Sequence, residues 1–221
     1  MDDQVTQICD AVLQKAKHFF GKNLLFFALV GSAGKNNYIA GWSDIDLLIV
    51  TKYFYEDQDV FQNLFNYSTH TGITILTQKE WYNLLVSQRI LKYIDELNNG
   101  ENIILYRSKN LSIPIVNHDL IFNNRDREIY SAIAKLKRLV VNRTNYREIL
   151  KTIIYIQKLM LCTKKILVYQ YSDLEKNFFI NFKFRDKSFK SLINAYLNTT
   201  DLSLLKSYKN HFLKYLESIH W

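Results

Sequence analysis

Residues 24–51 read LLFFALVGSAGKNNYIAGWSDIDLLIVT: two apolar runs enclose a polar segment that contains three glycines. The runs are shorter than a typical helix and apolar enough for buried strands, so we expect strands at 24–30 and 44–51. Side chains two residues apart in a strand project to the same face, so Asp44 and Asp46 point the same way. The pattern therefore predicts two carboxylates side by side where the second strand begins.

This acidic pair indicates a cation site. Two adjacent carboxylates repel each other, and a fold that places them together usually supplies a cation between them. Mg²⁺ is the expected ion because it prefers oxygen ligands and is commonly held by one or two carboxylates together with substrate phosphates. The structural alternative is a turn in which Ser43 or Asp44 satisfies the backbone. Against it, Asp46 would place a carboxylate at the mouth of a core strand without need.

The Gly31-Ser32 step at the end of the first predicted strand suits phosphate binding. Glycine lets the backbone come close to a ligand, and exposed N–H groups with a serine hydroxyl can hold phosphate oxygens. If the two strands are neighbours, this turn holds a triphosphate while the aspartates hold its metal, as phosphoryl or nucleotidyl transfer requires. The segment is not a P-loop, because the earlier glycine is missing and Asn36 stands where Ser or Thr should bind Mg²⁺.

The rest of the first half alternates strands with helices. Further strands are expected at 72–77 and 103–106, and helices at 5–20, 57–66 and within 79–100. This interleaving predicts a mixed α/β sheet with helices on at least one face.

Beyond Pro114, the only proline, the chain is helical in pattern. The expected spans are 125–142, 146–168, 174–182, 187–198 and 202–219. A small antiparallel bundle is the simplest packing for such helices. We therefore predict an α+β fold, in which an N-terminal mixed α/β sheet domain at 1–120 is followed by an all-α helical bundle at 121–221.

Composition and charge narrow the class of protein. The chain has 221 residues, 48% of them hydrophobic, and two cysteines, so it can form a core but no disulfide framework. No apolar segment approaches the roughly 18 to 20 residues of a membrane span, and we expect a cytoplasmic protein. Residues 1–120 hold 10 Lys and Arg against 13 Asp and Glu, a net charge of −3, whereas 121–221 hold 19 against 8, a net charge of +11. Such a shift indicates two units with different roles.

The Gly-Ser, gap, Ser-Asp-hydrophobic-Asp-hydrophobic pattern resembles the nucleotidyltransferase superfamily of DNA polymerase beta. It is most similar to small bacterial nucleotidyltransferases with a C-terminal helical domain, including antibiotic-modifying and toxin–antitoxin members. The resemblance extends from about Leu24 to Tyr106, where residues 93–106 resemble the helix and short strand that end the minimal domain.

The resemblance implies an Mg²⁺-dependent enzyme whose catalytic domain is 1–120. Its reaction would move a nucleoside monophosphate, expected to be AMP from ATP, onto an acceptor hydroxyl with release of pyrophosphate. The implied site residues are Gly31, Ser32, Lys35 and Ser43 for the nucleotide, and Asp44 and Asp46 as catalytic residues and metal ligands.

Two departures from the family pattern bear on activity. Many members carry a basic residue directly after Gly-Ser, whereas the nearest cation here is Lys35. Many also carry a third carboxylate on the next strand, and the expected strand at 71–75 has none. His70 at its edge and the more distant Glu80 are the substitutes that the sequence offers for a general base.

Four alternatives stay open at the level of sequence. The first is a nucleotidyltransferase with an anionic acceptor, such as nucleic acid, or a partner protein with an acidic surface, which the positive charge of the second half favours. An aminoglycoside or lincosamide nucleotidyltransferase is the second alternative, and a nucleotide-binding antitoxin or regulatory module with impaired chemistry is the third. The fourth is a structural nucleic-acid binder that uses the basic helices alone, which leaves the acidic pair unexplained. The sequence does not determine the oligomeric state.

Overall fold

The structure of this chain is a computed structural model that describes residues 2–53, 70–123, 125–142, 145–168, 170–184, 187–198 and 202–218. The chain divides into two compact units, Met1–Ile121 and Phe122–Trp221. The helix expected at 57–66 lies outside the described residues.

A four-stranded mixed sheet forms the centre of the first unit. Its strands are β1 (Leu24–Val30), β2 (Ile45–Thr51), β3 (Thr71–Thr77) and β4 (Ile103–Arg107). They lie in the order β3-β2-β1-β4, with β1 antiparallel to both β2 and β4, and β2 parallel to β3. β1 and β2 occupy the middle of the sheet because their near-continuous apolar runs must be covered on both faces. The mixed sheet and the helices around it confirm the predicted α+β fold class.

Helix α1 (Asp3–Phe20) covers one face of this sheet. The Asp2 side chain caps its first turn by accepting hydrogen bonds from the N–H groups of Gln4 and Val5, and Gly21 ends it with a positive φ of 50°. The buried positions repeat every three or four residues and pack against β1 and β2: Val5, Ile8, Cys9, Val12, Leu13, Ala16 and Phe20. Each large apolar side chain buried in this way contributes about 1.5–3 kcal/mol.

Four further α-helices lie within the described residues between Gly31 and Phe122. They are α2 (Gly31–Gly34), a single turn, with α3 (Gln78–Asn83), α4 (Gln88–Asn98) and α5 (His118–Phe122). α3 begins with a capping box, in which Glu80 accepts hydrogen bonds from the Thr77 N–H and hydroxyl at 2.7 and 2.8 Å. Glu80 is therefore engaged at a helix terminus.

Among its described residues, the second unit contains helices and no strand. Its helices are α6 (Arg125–Val141), α7 (Tyr146–Thr163), α8 (Tyr171–Phe182), α9 (Phe189–Leu197) and α10 (Leu202–Ser218). α7 is the most buried of them and packs against α6, α8 and α10. Aromatic rings form much of the remaining core: Phe178 and Phe184 are buried against one another and against Tyr215.

A membrane-crossing helix is absent from the described parts of both units, since none there combines the necessary length and apolar character.

The two cysteines differ in their surroundings, which gives a test of the α1 packing. Cys9 lies in the core and burial, followed by the nearby charge of Asp10, raises the pKa of its thiol to about 11, whereas Cys162 is partly exposed. At pH 8 a thiol with that pKa carries about a hundredfold less thiolate than an ordinary one. With a disulfide reagent at pH 8, we expect one fast-reacting thiol in the native protein and two after denaturation.

The matched variant for this experiment is Cys162→Ser, which should lose the fast phase. A fast phase that persists in that variant would show Cys9 to be accessible and would contradict the described packing of α1.

Candidate active site

The turn after β1 brings the backbone close to an acidic side chain. Gly31 begins α2 with a φ of +73°, in the left-handed region that favours glycine. A Cβ built on Gly31 would lie 2.9 Å from Oδ2 of Asp46, closer than real side chains allow. Glycine is therefore required at this position for its backbone conformation and for the close approach of the Asp46 carboxylate.

The sheet register explains why these two residues meet. Val30, the last residue of β1, pairs with Asp46 in β2, so the turn that follows Val30 lies beside the Asp46 side chain. On the other side, Asp46 pairs with Gly72 of β3, and a Cβ at Gly72 would lie 2.9 Å from Asp46 Oδ1. The Asp46 carboxylate thus lies between two glycines on neighbouring strands.

Two residues that the sequence analysis did not identify complete the surroundings of Asp46. Arg89 Nη2 donates to Asp46 Oδ1 at 2.8 Å, and the Tyr93 hydroxyl donates to Asp46 Oδ2 at 3.3 Å. Arg89 Nε also donates to the Tyr93 hydroxyl at 2.8 Å. Arg89 and Tyr93 are four residues apart on α4 and so share a face of that helix. This spacing was the available signal, but it does not indicate which strand the face meets.

The electrostatics of Asp46 reflect opposing effects. Burial, which penalises the charged form, raises the pKa of Asp46, and the negative charge of Asp44 adds to the increase. The Arg89 guanidinium and the two hydrogen bonds oppose this but do not reverse it. Asp44, two residues before Asp46 in the chain, thereby adds to the electrostatic cost of a charged Asp46. A further positive charge at this position would reduce that cost.

The expected nucleotide ligand Lys35 lies in a different, more buried contact. Its Nζ donates to Oε1 of Glu96 at 2.9 Å, and the side chains are 11% and 1% exposed, respectively. Asn102 Nδ2 donates to the other Glu96 oxygen at 3.1 Å. The buried Glu96 carboxylate thereby ties the segment after α2 to α4.

The other residues predicted for the nucleotide lie at two distinct positions. Ser43 is buried, and its hydroxyl oxygen accepts a hydrogen bond from the Ile39 N–H at 3.0 Å, within the turn that leads to β2. Ser32 follows Gly31 directly in α2 and is partly exposed, at the end of the sheet where Asp46 lies. The structure thus brings Gly31, Ser32 and Asp46 to one end of the sheet and gives Ser43 a structural contact.

A third acidic residue is missing from the position where the family pattern would have one. The residue opposite Asp46 on β3 is Gly72, and among the described residues no group of three His, Cys, Asp or Glu could hold a metal ion together. The donor chemistry nevertheless suits Mg²⁺, because two hard, mutually repelling carboxylates can share an ion whose other ligands are phosphates and water. Asp44 and Asp46 are the residues that could hold it.

Comparisons with known proteins agree with this geometry at the level of fold. No protein-family model matches the sequence, and no curated protein matches it. Spectinomycin adenyltransferase AAD(9) from Enterococcus faecialis, solved with ATP and spectinomycin, is similar in structure with a TM-score of 0.56 and 11% identity, over 94% of this chain and 98% of that chain. A nucleotidyltransferase-like protein from Exiguobacterium sibiricum 255-15 matches at a TM-score of 0.27 and 12% identity, over 92% of this chain and 77% of that chain. The chain therefore shares its overall fold with the solved structure of AAD(9).

The tight packing of α2 can be tested at Gly34. A Cβ on Gly34 would lie 2.4 Å from the Leu29 carbonyl oxygen and 2.6 Å from Asn102 Oδ1. Because backbone must move to admit it, we expect Gly34→Ala to lower the free energy of unfolding by about 2 kcal/mol or more. Gly100→Ala is the matched control, since it has a positive φ but open space, and should cost about 1 kcal/mol. Equal losses in denaturant unfolding would contradict the described packing.

The Lys35–Glu96 contact can be tested separately. We expect Lys35→Met to destabilise the protein by about 3–5 kcal/mol, because it leaves a buried carboxylate without its cation. The double variant Lys35→Met, Glu96→Gln should recover much of this loss, since no buried charge is then unpaired. Thermal unfolding without nucleotide measures both effects. Unchanged stability combined with weakened ATP binding would instead make Lys35 a nucleotide ligand.

Proposed function

We propose that this protein is an Mg²⁺-dependent nucleotidyltransferase that transfers AMP from ATP to an acceptor hydroxyl and releases pyrophosphate. The observation that carries the proposal is the position of the Asp46 carboxylate, 2.9 Å from where a Cβ of Gly31 would stand, with a second carboxylate, Asp44, two residues earlier in the chain. A phosphate-binding turn and a pair of metal-binding carboxylates at one end of a sheet suit nucleotidyl transfer. The adenyltransferase fold supports the same reaction class.

In this proposal each site residue has one role. The backbone of the Gly31 turn and the hydroxyl of Ser32, a partly exposed residue, would bind phosphate oxygens. Asp44 and Asp46 would hold Mg²⁺, which when bound supplies charge neutralisation at the phosphates and activation of the acceptor hydroxyl. Because Lys35 and Ser43 have structural partners, the proposal assigns neither of them a direct contact with the nucleotide.

The acceptor is the less constrained part of the proposal. The net charge of +11 over residues 121–221 favours an anionic acceptor, a nucleic acid or an acidic protein surface. The second candidate is an antibiotic, since AAD(9) is a spectinomycin adenyltransferase and its fold is shared over nearly the whole chain. Incubation with labelled ATP, Mg²⁺ and either spectinomycin, RNA or protein separates the candidates by the molecule that becomes labelled.

Asp46 gives the direct test of the reaction. We expect Asp46→Asn to reduce pyrophosphate release by about a hundredfold or more, because it removes one of two charges that would hold the metal. Asp10→Asn is the matched control: it makes the same change at an exposed position on α1 and should retain the wild-type rate.

Two results would contradict the proposal in different ways. Wild-type protein that binds ATP but releases no pyrophosphate with any acceptor would favour the nucleotide-binding module with impaired chemistry, which the glycine opposite Asp46 also suggests. Wild-type protein that binds no ATP would exclude both functions.

A further inference from the structure

The Arg89–Asp46 ion pair engages one of the two carboxylates to which the proposal assigns the metal ion. Arg89 Nη2 lies 2.8 Å from Asp46 Oδ1, one of the oxygens expected to coordinate the metal. Both a guanidinium and a divalent cation would neutralise the same carboxylate, so their interactions with it compete. Resting on the proposed function, we infer that Arg89 is an exchangeable counter-ion, which neutralises Asp46 in the ligand-free protein and passes to the nucleotide phosphates when metal and nucleotide bind.

Because Arg89 is largely exposed, breaking its ion pair with Asp46 costs little free energy. Its side chain is 59% exposed, whereas that of Asp46 is 18% exposed. An ion pair with one partner so open to water contributes little net free energy, since water solvates the guanidinium almost as well as the carboxylate does. A fully buried pair would cost several times more to break. The geometry therefore allows Arg89 to leave Asp46 at little cost. A permanent structural contact would not need this property.

The remaining hydrogen-bonding capacity of Arg89 suits phosphate. Within the described part of the chain its guanidinium donates to Asp46 and to the Tyr93 hydroxyl, so two of its five N–H donors are in use. Arginine binds phosphate through paired donors in a planar fork. Asp46 lies next to the Gly31 turn, so the guanidinium is already close to the place assigned to the phosphates.

Tyr93 holds the arginine in this position. Its ring is buried, its hydroxyl accepts from Arg89 Nε, and the Arg89 guanidinium carbon lies 5.4 Å from the ring centroid. One residue therefore contacts both members of the ion pair, because the same hydroxyl donates to Asp46. Tyr93 acts as a positioning residue, and its loss should loosen the arginine without removing any charge.

The inference predicts opposite effects of one substitution on two ligands. In Arg89→Gln, Mn²⁺ without nucleotide should bind about two- to fivefold more tightly, because its competitor for Asp46 is gone. A non-hydrolysable ATP analogue with Mg²⁺ should bind about tenfold more weakly, because a charged phosphate contact is lost. Electron paramagnetic resonance measures the free Mn²⁺ and calorimetry measures the analogue. If Arg89 had only a structural role, Arg89→Gln would bind both Mn²⁺ and the analogue more weakly.

Three further variants complete the experiment. Arg127→Gln makes the same change at an exposed position of α6 and should alter neither affinity. Arg89→Lys keeps the charge and should keep the Mn²⁺ affinity within about twofold of wild type. Tyr93→Phe keeps the buried ring and should tighten Mn²⁺ binding in the same direction as Arg89→Gln, which preserves the test if that variant does not fold by circular dichroism.

The outcomes separate this inference from the proposed function. Unchanged or weaker Mn²⁺ binding in folded Arg89→Gln, with the analogue still bound by wild type, overturns the exchange alone. Arg89→Lys that behaves like Arg89→Gln also overturns it, since charge would then not be the competing feature. If wild type binds no analogue, the proposed function and the exchange both fail.

Discussion

The candidate site depends first on the pairing of Val30 with Asp46 across the two central strands. Because β1 ends where β2 begins, this antiparallel register sets the turn after β1 against the acidic residue at the head of β2. Close approach requires that no side chain intervene, and the glycines at 31 and 72 satisfy that requirement on either side of the carboxylate. The negative charge brought there is partly desolvated and must be neutralised. The Arg89 guanidinium, 2.8 Å from Asp46 Oδ1, supplies a positive charge at this position.

The sequence was sufficient to predict the parts of the fold that depend on local pattern. The apolar runs of β1 and β2 and the three-to-four-residue repeat of α1 are properties of short segments, and the structure has these elements within a residue or two of the expected bounds. The meeting of Gly31 and Asp46 was also within reach, because it requires only that two consecutive strands be neighbours. These inferences succeed where sequence separation is small and the burial requirement is strong.

Contacts between distant segments could not be predicted in the same way. Arg89 lies 43 positions from Asp46, and Glu96 lies 61 positions from Lys35. An arginine or a glutamate on a helix is ordinarily a solvated surface residue, and only the docking of α4 beside the strand ends reveals these contacts. Lys35 is an example, since its place shortly after Gly31-Ser32 in the chain does not indicate that its ammonium lies against the buried Glu96 carboxylate. Chain proximity is a poor guide to where a long, flexible side chain ends.

Helix α4 presents Arg89, Tyr93 and Glu96 at a spacing of four and then three residues, which places them along one stripe of its surface. Arg89 and Tyr93 contact Asp46 of β2. Glu96, further along the helix, contacts Lys35, which follows the Gly31 turn. The turn after β1, the start of β2 and helix α4 are therefore linked by charged contacts and depend on one another. A chimera that took residues 31–46 from a related protein, but kept a different helix in place of α4, would leave charged side chains without their partners in both segments.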